Sequence, residues 1–324
     1  MYNPPFSISS KAINLIAKIS AQIERYAIRM EQSDSLKLRK ANRIKTIHSS
    51  LAIEGNNLSE GEVMAILDGK NVIAPQKEIL EVRNAIKTYE LYPTLNPFSI
   101  EDMLKAHHTM MSGFVDEAGM FRRRGVGVFD GTTAVHIAPP AERVKDLMND
   151  LFIWLENSED HLLIRSCVFH YEFEFIHPFA DGNGRIGRLW QSLILGKLNP
   201  LFEHLPVENM VYANQQAYYD AITQSSAKGD SQPFIDFMLQ EILNALEDRK
   251  GHTVDEIGLA NSLSENEIKI LGLIRSDRHM SAKRLAEEIG ASPRQIERIL
   301  AGLKERSIIR RVGANRNGYW EVIG

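Results

Sequence analysis

The stretch 177–188 reads His-Pro-Phe-Ala-Asp-Gly-Asn-Gly-Arg-Ile-Gly-Arg, and it decides the fold. Apolar residues recur at helical spacing on both sides of it, so a loop is expected to end one helix and to begin the next. Gly182 and Gly184 let the backbone turn tightly and approach a ligand. The free N–H groups of a first helical turn form a ready anion site. The sequence therefore predicts an anion-binding turn between two helices.

The charged side chains of this stretch indicate its chemistry. Arg185 and Arg188 are three residues apart and share one helix face, where two guanidinium groups suit a polyphosphate. Asp181 offers a hard oxygen ligand of the kind that holds Mg²⁺ on phosphates. His177, at the entrance of the loop, can take a proton from an attacking hydroxyl near neutral pH.

The sequence does not favour two other nucleotide-binding motifs. Gly182, Gly184 and Gly187 fit G-x-G-x-x-G, but that dinucleotide motif needs a preceding strand, and both flanks read as helix. A Walker A motif is absent, because neither Gly69-Lys70 nor Gly196-Lys197 is followed by Ser or Thr.

Most of the remaining chain also reads as helix. The 324 residues are 44% hydrophobic with 21 Gly and 12 Pro, which excludes collagenous and disordered classes. No signal peptide or membrane span is recognised, and the single cysteine, Cys167, excludes an intramolecular disulfide. We expect a cytoplasmic protein without a membrane partner. One segment departs from helix, since two short extended runs flank Asp130-Gly131 and predict a small β-hairpin.

The stretch 177–188 resembles the signature H-x-F-x-[DE]-G-N-G-R-x-x-R of the Fic family and matches it at every specified position. The resemblance implies a mainly α Fic-type helical bundle with a β-hairpin flap. It implies transfer of AMP from ATP to a Ser, Thr or Tyr hydroxyl of a target protein or of the chain itself. His177 would be the general base and Asp181 the Mg²⁺ ligand. The implied phosphate-binding residues are Gly182, Asn183, Gly184, Arg185 and Arg188.

A second motif lies upstream of the first. Ser50-Leu-Ala-Ile-Glu54-Gly55 fits the family's inhibitory pattern [ST]-x-x-x-E-[GN]. A carboxylate in the last turn before a glycine opposes the helix dipole, so local stability does not explain Glu54. By the resemblance, Glu54 pairs with Arg188 and keeps the γ-phosphate out of the productive pose. Some members also remove AMP with this glutamate, which makes hydrolysis of the modified target a second activity.

The family suggests two further contacts. The hairpin at 124–138 matches the flap that clamps the target segment by strand addition. Asn214 and Tyr218 stand where members often contact adenine. The resulting division is an N-terminal helical region with the inhibitory helix (1–95), a catalytic core (96–246), a linker (247–262) and a tail (263–324).

The tail differs from the body in charge. Residues 262–324 carry twelve Lys and Arg against eight Asp and Glu, or +4, and subtraction from 38 and 42 leaves 26 against 34, or −8, for the rest. Three helical segments (264–275, 281–290, 292–306) and an extended pair resemble a winged helix-turn-helix. The segment 292–306 would be the second helix of the helix-turn-helix. Near its start lie Arg294, Gln295 and Arg298, where a recognition helix contacts the bases of DNA. A contact with DNA and a contact with protein, including a homodimer, both stay open. A nucleotide-sensing transcription regulator is therefore the alternative function.

For several other residues, the sequence favours a structural role over a functional one. Arg122, Arg123 and Arg124 are expected on a solvated turn, with approach to target or nucleotide as the alternative. Cys167 is expected to be a small core residue. Two further groups are expected to be structural: the aromatic residues Phe169, Phe173 and Phe175, and the histidines His107, His108, His136, His161 and His170.

Overall fold

The computed structural model describes residues 2–32, 35–130, 133–205, 207–247, 265–276, 278, 280–305, 309–312 and 319–322. The chain divides into two compact units, Met1–Arg249 and Lys250–Gly324. The predicted boundary at 247–262 coincides with this division, although 248–262 lies outside the described residues.

The first unit is built from helices. They are α1 (Ser10–Gln32), α2 (Ser35–Ile53), α3 (Glu60–Leu67), α4 (Gln76–Glu90), α5 (Ile100–Met111), α6 (Ala141–Asn157), α7 (Leu162–Ile176), α8 (Asn183–Leu198), α9 (Val207–Ala213), α10 (Gln215–Lys228) and α11 (Gln232–Glu247). Short 3₁₀ turns occupy Tyr92–Thr94 and Pro200–His204. The mainly α fold expected from the sequence is confirmed.

The helices α7 and α8 pack against each other at the centre of the first unit. Most residues of both helices are buried, as expected for helices that are surrounded by others. Phe169, Phe173 and Trp190 have no exposed surface. Phe175 departs from the expectation for a core residue: it is 38% exposed, because its position points away from the helices that cover α7.

Local sequence signals explain where α2 ends and where α3 begins. Gly55 ends α2 with φ +89°, a conformation that L side chains rarely adopt. The Ser59 hydroxyl and the Glu62 carboxylate form a capping box at the start of α3. Residues from both sides of the predicted 95/96 division share one hydrophobic core, so residues 1–95 and 96–246 belong to one compact unit.

The predicted hairpin is present. Strand β1 (Gly127–Asp130) pairs antiparallel with β2 (Thr133–Ile137), and the register shifts between Val128 and Phe129. The two residues at its tip, 131 and 132, lie outside the described residues.

The second unit contains α12 (Glu265–Ser276), α13 (Ala282–Ile289), α14 (Pro293–Glu305) and the antiparallel strands β3 (Ile309–Val312) and β4 (Tyr319–Val322). Each helix lies within one residue of its predicted bounds. The unit has its own core, which includes Ile270, Leu285 and Ile296. The predicted turn of the strand pair, at 315–318, lies outside the described residues.

Among the helices described here, none combines the length and the apolar character needed to cross a membrane.

Candidate active site

His177 terminates α7 in an unusual backbone conformation. Its φ of +50° and ψ of +61° are left-handed, and no other non-glycine residue in the described part of the chain has a positive φ. Such strain in a residue with a Cβ persists only where surrounding contacts impose it, and it is common at functional sites. The turn re-aims the chain so that the histidine stands at the entrance of the loop to α8.

The loop is closed by the side chain of Asn183. Its amide accepts from the Phe179 backbone N–H and donates to the Phe179 carbonyl, both at 2.9 Å. Asn183 is 2% exposed, so these two hydrogen bonds are shielded from water. The side chain of Asn183 therefore shapes the predicted anion turn, while its backbone begins α8.

His107, on α5, supports the same loop from behind. Its ring stacks on Phe179 with centroids 3.7 Å apart, and its Nε2 lies 3.0 Å from the Asp181 carbonyl. The Gly119 N–H donates to Nδ1 at 2.8 Å, so the proton is assigned to Nε2. Burial lowers the pKa of His107 to about 4, which keeps the ring neutral. The expected structural role of His107 is thus a role in positioning the loop.

Asp181 presents a carboxylate beside the turn. Its side chain is 54% exposed, and Oδ1 accepts from the Gly182 N–H at 2.5 Å and from Arg185 at 3.0 Å. Its Oδ2 accepts no hydrogen bond from the described residues, which leaves an oxygen open toward solvent. One open carboxylate oxygen fits Mg²⁺, which is commonly held by one or two carboxylates together with substrate phosphates. No cluster of three or more metal-ligating side chains occurs in the described part of the chain.

Two glycines make close approach possible in the turn. Gly182 has φ +83°, and a Cβ there would fall 2.6 Å from the Met111 sulfur. A Cβ on Gly184 would fall 2.5 Å from a Glu54 carboxylate oxygen and 2.8 Å from Arg188 Nη1. The first turn of α8 is therefore in direct contact with the end of α2.

Arg188 connects these two elements. Its Nη2 donates to Glu54 Oε1 and to the Ser50 carbonyl, each at 2.8 Å, and its Nε lies 3.3 Å from Ser50 Oγ. Arg188 is 3% exposed in its side chain and Glu54 is 32% exposed. Burial is the largest influence and opposes the guanidinium charge, but Glu54, Tyr218 and Glu174 together outweigh it, so the pKa of Arg188 is raised. The structure thus brings Ser50, Glu54 and Arg188 together. Glu54 itself follows Ile53, the last helical residue of α2.

The expectation for Arg122 was wrong, although Arg123 and Arg124 are exposed as expected. Arg122 is 3% exposed, and its backbone N–H donates to the Pro178 carbonyl at 2.9 Å. Its guanidinium donates to four carbonyl oxygens, those of Pro139, His177, Arg124 and Ile176, at 2.6, 2.7, 2.9 and 3.2 Å. The residue therefore ties both ends of the hairpin to the start of the loop. A run of three arginines gave no signal for this burial.

The two proposed adenine contacts have different environments. Tyr218 is 3% exposed, and its hydroxyl lies 3.0 Å from Nε2 of the buried His170. Asn214 is exposed at the start of α10 and donates to Glu241 at 3.0 Å. The exposed ring of the tyrosine pair is Tyr219, which is 44% exposed. Gln215 links it to the end of α2, because its amide lies 3.3 Å from the Ile53 carbonyl and 3.5 Å from the Tyr219 hydroxyl.

The remaining expectations concern structural residues. Cys167 is fully buried, and burial raises the pKa of its thiol to about 12, so its core role is confirmed. The histidines at 108, 161 and 170 make local hydrogen bonds, and the side chain of His136 lies outside the described residues.

The protein has a helical core in which a loop joins two buried helices, and Arg122 ties a β-hairpin to that loop. Residues 97–195 match the Fic/DOC family. A crystal structure of a Fic family protein from Desulfovibrio desulfuricans G20 is 39% identical, with a TM-score of 0.73, and the match covers 100% of this chain and 99% of that one. The chain belongs to the Fic family.

Curated relatives carry names that refer to an activity. The protein adenylyltransferase fic-1 of Caenorhabditis briggsae is 30% identical over 253 residues, which are 71% of this chain and 47% of the relative. The protein of that name from Caenorhabditis elegans is 33% identical over 205 residues, covering 59% of this chain and 38% of the relative. The chain thus spans about half the length, or less, of the curated relatives it matches. A solved structure of C. elegans Fic-1 has a TM-score of 0.57 at 22% identity, which supports the fold alone.

Proposed function

We propose that this protein transfers AMP from ATP to a Ser, Thr or Tyr hydroxyl of a target protein and of itself, and that Glu54 restrains the reaction. The single observation that carries the proposal is the ion pair between Glu54 and Arg188 at 2.8 Å, formed directly over the first turn of α8. An arginine beside an anion-binding turn is suited to a phosphate. Here a carboxylate of the same chain occupies that arginine.

The proposed reaction assigns one role to each group of the turn. The hydroxyl oxygen of the target attacks the α-phosphorus of ATP, and the bond from that phosphorus to the bridging oxygen breaks, which releases pyrophosphate. His177 accepts the proton of the hydroxyl. Backbone N–H groups of Gly182, Asn183 and Gly184, with the guanidinium of Arg185, stabilise the charge that develops on the phosphate oxygens. Mg²⁺, held by Asp181, would neutralise phosphate charge when it is bound.

Inhibition follows from competition for Arg188. While Glu54 accepts from its Nη2, the guanidinium is not available to the γ-phosphate, so ATP binds without the orientation that the transfer needs. Movement of the end of α2 would release Arg188. We also propose that Glu54 supports hydrolysis of AMP from the modified target, since it lies beside the same turn.

The adenine is proposed to lie near Asn214 and the second tyrosine of the pair. Tyr218 is enclosed in the core, whereas the ring of Tyr219 is open and near the end of α2. We therefore assign the aromatic contact to Tyr219, while the target segment is proposed to pair with the hairpin at 124–138.

Labelling with α-³²P-ATP and Mg²⁺ tests the proposal. We expect weak incorporation by the wild type, strong incorporation into the protein and lysate targets by Glu54→Gly, and none by Glu54→Gly with His177→Ala. Absence of label with Glu54→Gly would contradict adenylyl transfer. Label in the double variant would remove His177 from the role of base.

A second candidate function concerns the second unit, which we propose as a winged helix that binds DNA. Arg294, Gln295 and Arg298 are exposed along α14, as a recognition helix requires, although Glu297 interrupts the basic face. Binding of the full chain to a random duplex at low salt would support it. Arg294→Glu with Arg298→Glu should abolish binding, while Lys304→Glu, at the far end of α14, should weaken it less. If the chain does not bind DNA at low salt, DNA binding is contradicted, and a contact with protein becomes the proposed role of the second unit.

A further inference from the structure

Glu174 lies on α7, one turn before His177, in a place that the reaction described above does not use. One carboxylate oxygen, Oε2, is 4.0 Å from Nδ1 of His177. The other, Oε1, is 3.8 Å from Nε2 of His170. The Glu174 side chain is 12% exposed. Its carboxyl group is therefore enclosed in the protein, next to the buried Nδ1 of His177.

The packing around Glu174 makes room for this carboxyl group. A Cβ on Gly187 would fall 2.8 Å from Glu174 Oε1 and 3.2 Å from Phe173 Cδ1. Position 187 is one of the unspecified positions of the family signature, so the phosphate chemistry does not demand glycine there. A side chain at position 187 would crowd the Glu174 carboxyl group and the ring of Phe173.

Glu174 also has no other hydrogen-bonding role in the described residues. Its Oε1 is buried and accepts no hydrogen bond there. Buried polar atoms without partners are uncommon in folded proteins and are often found where function requires them. The groups that face the carboxyl from neighbouring elements are Arg188 on α8, Glu54 at the end of α2, Tyr218 on α10 and His170 on α7 itself.

The charge state of Glu174 depends on the inhibitory segment. Burial, the largest cause, and repulsion from Glu54 raise the pKa of Glu174, attraction to Arg188 lowers it, and the net value is about 7. Displacement of Glu54 removes one of the two causes that raise the pKa of Glu174. Arg188, which lowers this pKa, stays nearby until a phosphate binds it. The ionised form of Glu174 is therefore favoured when the end of α2 moves away.

We propose that Glu174 is a positioning residue for His177. Its carboxylate holds the proton of the imidazole on Nδ1, so that Nε2 keeps a lone pair directed at the hydroxyl of the target. This proposal rests on the proposed function in one respect, that His177 is the base. A carboxylate that fixes the tautomer and the orientation of a catalytic imidazole is a general device for activating a base. Hydrogen bonds of this kind are often long before substrate binds, which agrees with the separation of 4.0 Å.

NMR of the full chain labelled with ¹⁵N-histidine tests the contact without any need for activity. The spectra distinguish protonated from unprotonated ring nitrogens, and His177→Gln assigns the signal. In the Glu54→Gly protein, where the ionised form of Glu174 is favoured, we expect a proton on Nδ1 of His177, and addition of Glu174→Leu should shift that proton toward Nε2. Gly187→Ala, which displaces the carboxyl, should act in the same direction.

Glu172→Gln is the matched control. Glu172 is a buried carboxyl two residues earlier on the same helix, but it accepts from the Tyr2 hydroxyl at 2.9 Å and does not face His177. The tautomer of His177 should be unchanged in this variant. An unaltered tautomer in a folded Glu174→Leu protein would overturn the proposal.

Kinetics in the Glu54→Gly background provide the second measurement. Glu174→Leu should lower kcat by about tenfold to a hundredfold, a part of the ~10²–10⁴ that a general base contributes, with little change in KM for ATP. Glu172→Gln should leave kcat unchanged. An unchanged kcat in Glu174→Leu would also overturn the proposal. If Glu54→Gly transferred no AMP at all, the proposed function would fail, whereas the tautomer measurement would still decide the role of Glu174.

Discussion

Replacement of Arg122 by alanine should strongly destabilise the first unit. The guanidinium donates to four carbonyl oxygens, and none of the described carboxylates lies within 4.0 Å of it. Its charge is therefore held by backbone dipoles alone. Burial lowers the pKa of Arg122, in agreement with a charge that is largely removed from water.

The magnitude follows from the hydrogen bonds that are lost. A hydrogen bond to a charged group contributes about 1.5–3 kcal/mol, and four that share one side chain do not add fully. We expect Arg122→Ala to lower the free energy of unfolding by about 3–5 kcal/mol, because four carbonyls lose their donor, one in a buried and three in partly buried hydrogen bonds. For a unit of this size that corresponds to a Tm lower by roughly 10 °C.

Differential scanning calorimetry of the full chain measures this change in the transition of the first unit. Arg123→Ala is the matched control, since the neighbouring side chain is exposed and its loss should change stability by no more than about 0.5 kcal/mol. Arg122→Lys should fall between the two, because an ammonium group cannot reach all four carbonyls. Equal Tm values for the two alanine variants would refute the role assigned to Arg122.

Three further predictions concern the site and its surroundings. Asn183→Ala should lower the free energy of unfolding by about 2–3 kcal/mol, measured by urea titration, because the Phe179 N–H and carbonyl both lose a buried partner. Gly184→Ala should displace the Glu54 carboxylate and, in an ATP-binding titration, change the affinity of the wild type more than that of Glu54→Gly. Burial raises the pKa of Glu208 to about 7. The folded state therefore binds the extra proton, and the stability of the wild type relative to Glu208→Gln should fall as pH rises from about 4.5 to about 7.

The sequence predicted the elements that depend on local pattern. The helices on either side of 177–188 follow from apolar periodicity, and Gly55 and Ser59 mark the end of α2 and the start of α3 because backbone conformation and capping are local properties. The hairpin followed from its turn residues. The family signature added the grouping of Ser50, Glu54 and Arg188, which are distant in sequence and which periodicity could not have joined.

Other features depend on tertiary contacts and had no local signal. A run of three arginines predicts an exposed surface. The side chain of Arg122 is nevertheless buried and donates to backbone carbonyls between the hairpin and the loop. Tyr218 and Tyr219 are adjacent and chemically equal, so only the packing of α10 decides which ring is enclosed. Glu174 and His177 are three residues apart, a spacing that many pairs of helix residues share. The sequence therefore could not single out this pair, whereas the structure shows that both side chains are largely enclosed.

The most direct test of the central claim is a comparison of two labels in the Glu54→Gly protein. Incubation with Mg²⁺ and ATP labelled at the α-phosphate should label the protein, whereas ATP labelled at the γ-phosphate should leave it unlabelled and release labelled pyrophosphate. Both results should depend on His177. Incorporation of the γ-label, or of neither label, would contradict transfer of AMP by this site.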